Sequence, residues 1–212
     1  MTDLTKVSKY LSLILRHKPE EIGITLDKYG YAKTSDIVKG IKRKYPEFNK
    51  DMLREIVETD EKQRYKFKDY ENLIRANQGH SIPVDLELEE MEPPKILYHG
   101  TSDKYKEAIE KEGLIAKSRQ YVHLSNNTFT AHNVGLRHGG KTIIYIVAAQ
   151  AMYNNGFKFY VSENGVWLTD HVPSIYIKPY YVNSSEDMET LNKLIAQASD
   201  TTHLFHLIME NT

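Results

Sequence analysis

Apolar residues near the start of the chain recur at helical spacing. Leu4, Val7, Leu11, Ile14 and Leu15 fall on one face of a 3.6-residue period and predict a helix over 4–15. Thr2 or Asp3 can cap it. It should end at Lys18-Pro19, because the residue before a proline avoids the αR region; Arg16 and His17 then sit in its last turn. The stretch ITLDKYGYAK (24–33) reads as a short hairpin turning at Tyr29-Gly30. A second helix starts at Thr34 or Ser35, with Ile37, Val38 and Ile41 as its apolar face. A third spans about 49–58, with Met52, Leu53, Ile56 and Val57 inside. RYKFKD (64–69) and NLIRAN (72–77) read as two strands around a tight polar turn. Helix, small hairpin, two helices and a terminal hairpin is the order of a winged helix, a fold that often meets nucleic acid.

Residues 81–94, SIPVDLELEEMEPP, carry three prolines and five acids and read as a linker. They separate a first block, 1–80, from a second, 95–182. The second block opens with the strand KILYH (95–99). A helix across DKYKEAIEKEG follows, capped by Ser102 or Asp103 and stopped by Gly113. YVHLS (121–125) is a strand, Thr128 opens a helix to Val134, and TIIYIVAA (142–149) is a β-branched strand of the buried type. FKFYVSENGVWLT (157–169) is a hairpin around Asn164-Gly165, and SIYIKPYYV (174–182) is a last strand. These strands do not alternate regularly with helices, so the fold class is α+β rather than a doubly wound sheet. Residues 183–212 form an acidic tail of one or two amphipathic helices.

Charge adds one feature to this pattern. The net charge of the 212 residues is −1. Yet residues 6–80 hold 17 Lys+Arg against 12 Asp+Glu, and residues 95–182 hold ten against six. Two mildly basic blocks thus flank an acidic connector, an arrangement that can focus potential on an anionic ligand if the basic faces meet. There are no cysteines, which excludes disulfides, thiolate zinc and a cysteine nucleophile. With no membrane-length apolar run and no signal-peptide stretch, a cytoplasmic, membrane-free protein is expected.

One motif fits by letters and fails by context. GLRHGGKT (135–142) satisfies the phosphate-loop pattern G-x-x-x-x-G-K-[ST]. That loop needs a strand before it and a helix after it; here a helix-like stretch precedes and a β-branched run follows. No G-x-G-x-x-G supports a dinucleotide fold. The nine histidines lack H-E-x-x-H spacing, so no metal site is expected. Arg16-His17 complements a helix C-terminus, where a cation contributes about 0.3–1 kcal/mol. Arg75 alternates with Ile74 and Ala76 and should face solvent. Arg137 sits in a polar turn. Each has this ordinary reading alone; together they offer three guanidinium forks and an imidazole, a set suited to a phosphate dianion. His99-Gly100-Thr101, and then His123 and Ser125, end two strands of the second block. Gly100 would let a ligand approach the backbone.

Six stretches in order, LSLILRHKP (11–19), IRANQGHS (74–81), LYHGT (97–101), HLS (123–125), VGLRHG (134–139) and NGVWLT (164–169), resemble the RNA 2′-phosphotransferases of the KptA family. The resemblance covers about residues 4–180. It implies two lobes, an N-terminal winged helix that binds RNA and an NAD-binding lobe with an ADP-ribosyltransferase-like β-rich fold. It implies Arg16, His17, Arg75 and Arg137 as the catalytic set, and His99, Gly100, Thr101, His123 and Ser125 as the NAD site. The implied partners are NAD, as co-substrate, and RNA carrying an internal 2′-phosphate, spliced tRNA in eukaryotes, with no metal and a monomeric protein. One departure is visible: family members often carry an acid near Asn127, where this chain reads SNN.

In the implied chemistry the RNA 2′-phosphate attacks C1″ of the nicotinamide ribose and nicotinamide leaves, giving a 2′-phospho-ADP-ribosyl RNA. The 2″-hydroxyl then attacks phosphorus, releasing RNA with a free 2′-hydroxyl and ADP-ribose 1″,2″-cyclic phosphate. A dianionic nucleophile needs no general base, consistent with Val166 where many ADP-ribosyltransferases place a glutamate. Two alternatives stand beside this reading: a one-step ADP-ribosyltransferase acting on nucleic-acid phosphates, and a non-catalytic winged-helix nucleic-acid-binding module.

Overall fold

The computed structural model describes residues 3–211; the Thr2 cap considered above lies outside them. The chain is a mixed α and β protein and divides into two compact units. The first comprises Met1–Leu88, Lys117–Gln120 and Ser162–Gly165; the second comprises Glu89–Ala116, Tyr121–Val161 and Val166–Thr212.

The first unit is built from α1 (Leu4–Arg16), β1 (Ala32–Lys33), α2 (Thr34–Lys42), α3 (Lys50–Glu58), β2 (Tyr65–Lys68) and β3 (Leu73–Ala76). The Asp3 carboxylate caps α1 by accepting from the amides of Thr5 and Lys6, and Val7, Tyr10, Leu11, Ile14 and Leu15 form its buried stripe. The Asn49 side chain caps α3 through the Met52 amide at 3.0 Å. The hairpin expected over 24–33 does not form. Only Ala32–Lys33 is strand, and it pairs with β3 in a sheet of order β1-β3-β2. The Asp27 side chain closes a loop instead, accepting from the amides of Tyr29 and Tyr31, both at 2.9 Å. Those bonds satisfy amides that a strand partner would otherwise take.

The β2–β3 hairpin is present, with Tyr65 opposite Ala76 and Lys68 opposite Leu73. Its turn places Asp69, Tyr70 and Glu71 at positive φ. Glu71 is held to α3 by the Arg54 fork at 2.9 and 2.8 Å and by Lys50 at 3.3 Å. Two segments from later in the chain complete the unit, and Ser162–Gly165 is held by the Asn164 side-chain amide donating to the Lys62 carbonyl at 2.9 Å and by Lys66 pairing with Glu163.

The second unit runs β4 (Leu97–Ser102), α4 (Lys106–Glu112), β5 (Leu114–Ile115), β6 (Val122–Leu124), α5 (Thr128–Gly135), β7 (Thr142–Val147), α6 (Ala149–Asn154), β8 (Tyr160–Val161), β9 (Trp167–Thr169), β10 (His171–Val172), β11 (Ile177–Val182), α7 (Ser185–Gln197) and α8 (Thr201–Glu210). Antiparallel sheets of order β11-β7-β4 and β6-β9-β8 carry it, with a β10-β5 pair beside them. Neither Ser102 nor Asp103 caps α4. A 3-10 turn over Asp103–Tyr105 intervenes, and the Asp103 carboxylate is taken by Ser102 Oγ and the Lys141 amide. The β8–β9 connection is longer than a two-residue turn, spanning 162–166.

β7 shows why an unbroken β-branched run signals burial on both faces. Ile143, Tyr145 and Val147 enter a cluster with Leu97, Met152 and Phe159, whereas Ile144 and Ile146 enter another with Tyr98, Tyr180 and Val182. Leu191 and Leu194 of α7 and Leu204 and Ile208 of α8 complete the second cluster. Ser184 and Asp187 form a reciprocal capping box at the start of α7. Among the described residues, no helix is long and apolar enough to cross a membrane.

Candidate active site

Within the first unit the R-H pair of α1 and the segment after β3 are fastened together. Arg16 is the last residue of α1 and His17 its C-cap, stopped by Pro19 as the sequence predicts. The Ser81 amide donates to the Arg16 carbonyl at 3.0 Å, and the Ser81 hydroxyl meets His17 Nδ1 at 2.9 Å. Gly79 has φ +88°, and a Cβ there would lie 3.6 Å from the Arg16 guanidinium carbon. The backbone angle is what calls for glycine, since a Cβ at that distance would make only an ordinary contact.

Arg75 does not face solvent as alternation suggests. It is 6% exposed, its guanidinium lies 4.7 Å from the Tyr31 ring centroid, and Nη1 donates to the Tyr29 carbonyl at 3.1 Å. The Asp27-closed loop that replaces the expected hairpin supplies both contacts, so strand alternation alone could not place this side chain. Glu87 lies 3.7 Å away, a long ion pair.

His80 lies within electrostatic range of Arg16, His17 and Arg75 and is 1% exposed. Burial and those three neighbours hold its pKa down to about 4. Burial lowers Arg16 to about 10; burial, then Arg16 and Arg119, depress His17. Five buried nitrogens here have no hydrogen-bond partner: Nε and Nη2 of Arg16, Nε of Arg75, and Nδ1 and Nε2 of His80. Buried donors normally find partners, at about 1–3 kcal/mol for each left unmade. A positive, donor-rich cluster of this kind is chemically matched to an oxyanion.

In the second unit, His99 Nδ1 meets the His123 carbonyl at 3.0 Å, and Tyr98 and Ser125 exchange two backbone hydrogen bonds at 2.9 and 2.7 Å. β4 continues to Ser102, so His99 lies inside its strand and not at the end expected for it, next to His123 of β6 and Ser125 just beyond it. Thr101 is 4% exposed. The glycine at 100 has a different cause from ligand approach: a Cβ there would lie 1.6 Å from the Ala131 carbonyl oxygen of α5. Gly135 similarly lets the end of α5 meet Thr101, and the chain then turns through Leu136–His138 before β7. Arg137 is exposed in this turn, which is fastened to the end of β4 by Lys104 bonding to the His138 carbonyl and by Asp103 accepting from the Lys141 amide. Helix before and strand after confirm that GLRHGGKT is not a phosphate loop. Asn127 caps α5, accepting from the Thr130 amide at 2.7 Å.

His99 and Thr101 of β4, His123 of β6 and Ser125 just beyond it offer two imidazoles and two hydroxyls on neighbouring segments, groups whose hydrogen bonding suits a neutral carboxamide or ribose. Among the described residues, no group of three or more His, Asp or Glu is arranged to hold a metal ion. Sequence reasoning assigned His80 no role and did not single out Arg119. The only signal for Arg119 was its place in RQYVHLS, four residues before His123.

The model of the RNA 2′-phosphotransferase Tpt1/KptA family matches residues 2–171. A protein of Fusobacterium nucleatum named "Probable RNA 2′-phosphotransferase" is 50% identical over 178 residues, covering 84% of this chain and 99% of that protein. Proteins of the same name from Flavobacterium johnsoniae and Nostoc punctiforme are 48% and 47% identical over 172 and 176 residues. The first alignment covers 81% of this chain and 94% of its relative, the second 82% and 96%. The orphaned donors around Arg16 and Arg75 and this similarity point the same way: the chain belongs to the RNA 2′-phosphotransferase, Tpt1/KptA, family.

Proposed function

We propose that this protein removes an internal 2′-phosphate from RNA in an NAD-dependent reaction, acting in the cytoplasm as a monomer. The first unit serves as a winged-helix RNA-binding lobe and the second as an ADP-ribosyltransferase-like lobe. The observation that carries this reading is the cluster of Arg16, Arg75 and His80, five of whose buried nitrogens lack hydrogen-bond partners within the protein. It suits a phosphate dianion on RNA, and family membership supplies the substrate class.

NAD supplies an electrophilic ribose carbon and a nicotinamide leaving group. His99, Thr101, His123 and Ser125 would hold it through hydrogen bonds, with Gly100 keeping α5 seated against β4. Arg16 and Arg75 bind the 2′-phosphate and stabilise its oxygens as charge moves, first onto the ribose and then in phosphoryl transfer, and the resemblance assigns Arg137 to the same chemistry. They cannot move protons at neutral pH, because a guanidinium stays charged. His17 can. Burial, and then the fields of Arg16 and Arg119, lower its pKa in the free protein; a bound dianion opposes those fields and favours the imidazolium. That form donates to the departing 2′-oxygen. Replacing Arg16 or Arg75 by Ala should lower turnover by about 10²–10³-fold, the usual loss for one transition-state donor. His17→Ala should accumulate phospho-ADP-ribosylated RNA, seen by mass spectrometry; normal turnover in that variant would refute the step-two role.

A further inference from the structure

Arg119 lies far along the chain from α1 yet belongs to the first unit. Its neighbour fixes it there. The Gln120 amide donates to the His80 carbonyl at 3.2 Å, and Gln120 Nε2 donates to the Val84 carbonyl at 2.9 Å. Lys117, at φ +52°, starts the turn. Segment 117–120 is thus pinned to His80, which lies within electrostatic range of Arg16, His17 and Arg75. The Arg119 side chain falls within electrostatic range of both Arg16 and His17. Unlike Arg16 and Arg75, it is exposed. The result is a half-buried Arg16 and a buried Arg75 around His80, with the exposed Arg119 within electrostatic range of Arg16 and His17.

The substrate class gives this exposed position a meaning. A 2′-phosphate inside an RNA strand shares its ribose with a 3′-phosphodiester on the next carbon. The dianion therefore always has a monoanion one carbon away. A free 2′-nucleotide lacks that second charge. An exposed arginine suits a diester, which remains partly in solvent, whereas the more buried Arg16 and Arg75 suit the reacting group.

We propose that Arg119 binds the 3′-phosphodiester adjacent to the reacting 2′-phosphate and so selects phosphates inside a strand. This rests on the phosphotransferase reading. The proposed contact is made in binding and not in bond making, so affinity is the quantity that reports it.

The test uses the full chain and two fluorescent RNA tetramers carrying an internal 2′-phosphate. One has the native 3′-phosphodiester; the other has an uncharged methylphosphonate there. A third tetramer lacks the 2′-phosphate. The wild-type protein should bind the native tetramer about tenfold more tightly than the methylphosphonate, the scale of one charge-assisted contact. Arg119→Ala should bind both equally, at the affinity wild type shows for the methylphosphonate. Arg119→Lys should recover part of the difference. An Arg119→Ala protein that keeps the tenfold preference, or that weakens both tetramers alike, overturns the proposal. So does a wild-type protein that senses the 2′-phosphate but not the neighbouring charge. A wild-type protein blind to the 2′-phosphate itself overturns the phosphotransferase reading along with the proposal.

Discussion

His80 shows how one residue couples fold to chemistry. An imidazole with a pKa of about 4 is neutral in the folded protein, while the unfolded chain titrates near 6.5. The unfolded state therefore binds the extra proton as pH falls from about 6.5 towards 4, and stability drops across that window; above it His80 contributes no pH dependence. The cost at the acid end is up to about 3 kcal/mol. Denaturation across pH 4–7 should show this slope in the wild type and a flatter one in His80→Gln. Equal slopes would mean that the buried imidazole does not carry the effect. Arg16 and His17 were legible because a proline fixes where α1 ends. Arg75 was half legible: its strand was correct, but its environment depends on the Asp27-closed loop, which alternation cannot see. Gly100 was read as room for a ligand, and the Ala131 carbonyl fills that room instead.

At the scale of elements, that contact makes a sharp prediction. Gly100→Ala would set a methyl against the α5 backbone, and a helix backbone cannot rotate away as a side chain can. The expected loss is about 3 kcal/mol or more, measured by denaturant unfolding, at the upper end of overpacking effects. Unchanged stability would contradict the seating of α5 on β4. The helices and longer strands were legible because their apolar periods are regular, as in α1, α3 and β7. The two-residue strands β5 and β10 were not, since two residues carry no period, and β1 and β8 were read only as parts of longer strands. Nor was α6 legible, a six-residue helix. The Asn-Gly hairpin was correct in kind, but its connection is longer than the dipeptide signal implies. The bidentate Arg54–Glu71 pair, not turn propensity alone, fixes a β2–β3 turn with three non-glycine residues at positive φ.

At the scale of the molecule, the family match ends at residue 171, yet the second unit's core does not. Leu191, Leu194, Leu204 and Ile208 cover the face of β11-β7-β4 that presents Tyr98, Ile144, Ile146 and Tyr180. The tail's helical character was legible from its spacing; its target was not, because an amphipathic stripe does not name the face it will cover. Leu191 is fully buried, so Leu191→Ala should destabilise the protein by about 2–5 kcal/mol, read from its thermal or urea transition. A loss below about 0.5 kcal/mol would mark the tail as an appendage. The same contrast applies to the segments of the first unit: Lys117–Gln120 lies over thirty residues beyond the acidic connector's start, and no local pattern assigns it to the unit that holds Arg16.

The central claim is tested by one incubation: a short RNA with a single internal 2′-phosphate, the purified protein, NAD present or absent, and no added metal, with products resolved by gel and mass spectrometry. The account predicts NAD-dependent loss of the 2′-phosphate, with nicotinamide and ADP-ribose 1″,2″-cyclic phosphate appearing. An RNA that gains ADP-ribose and keeps it, or one left unchanged by a folded protein supplied with NAD, would contradict it.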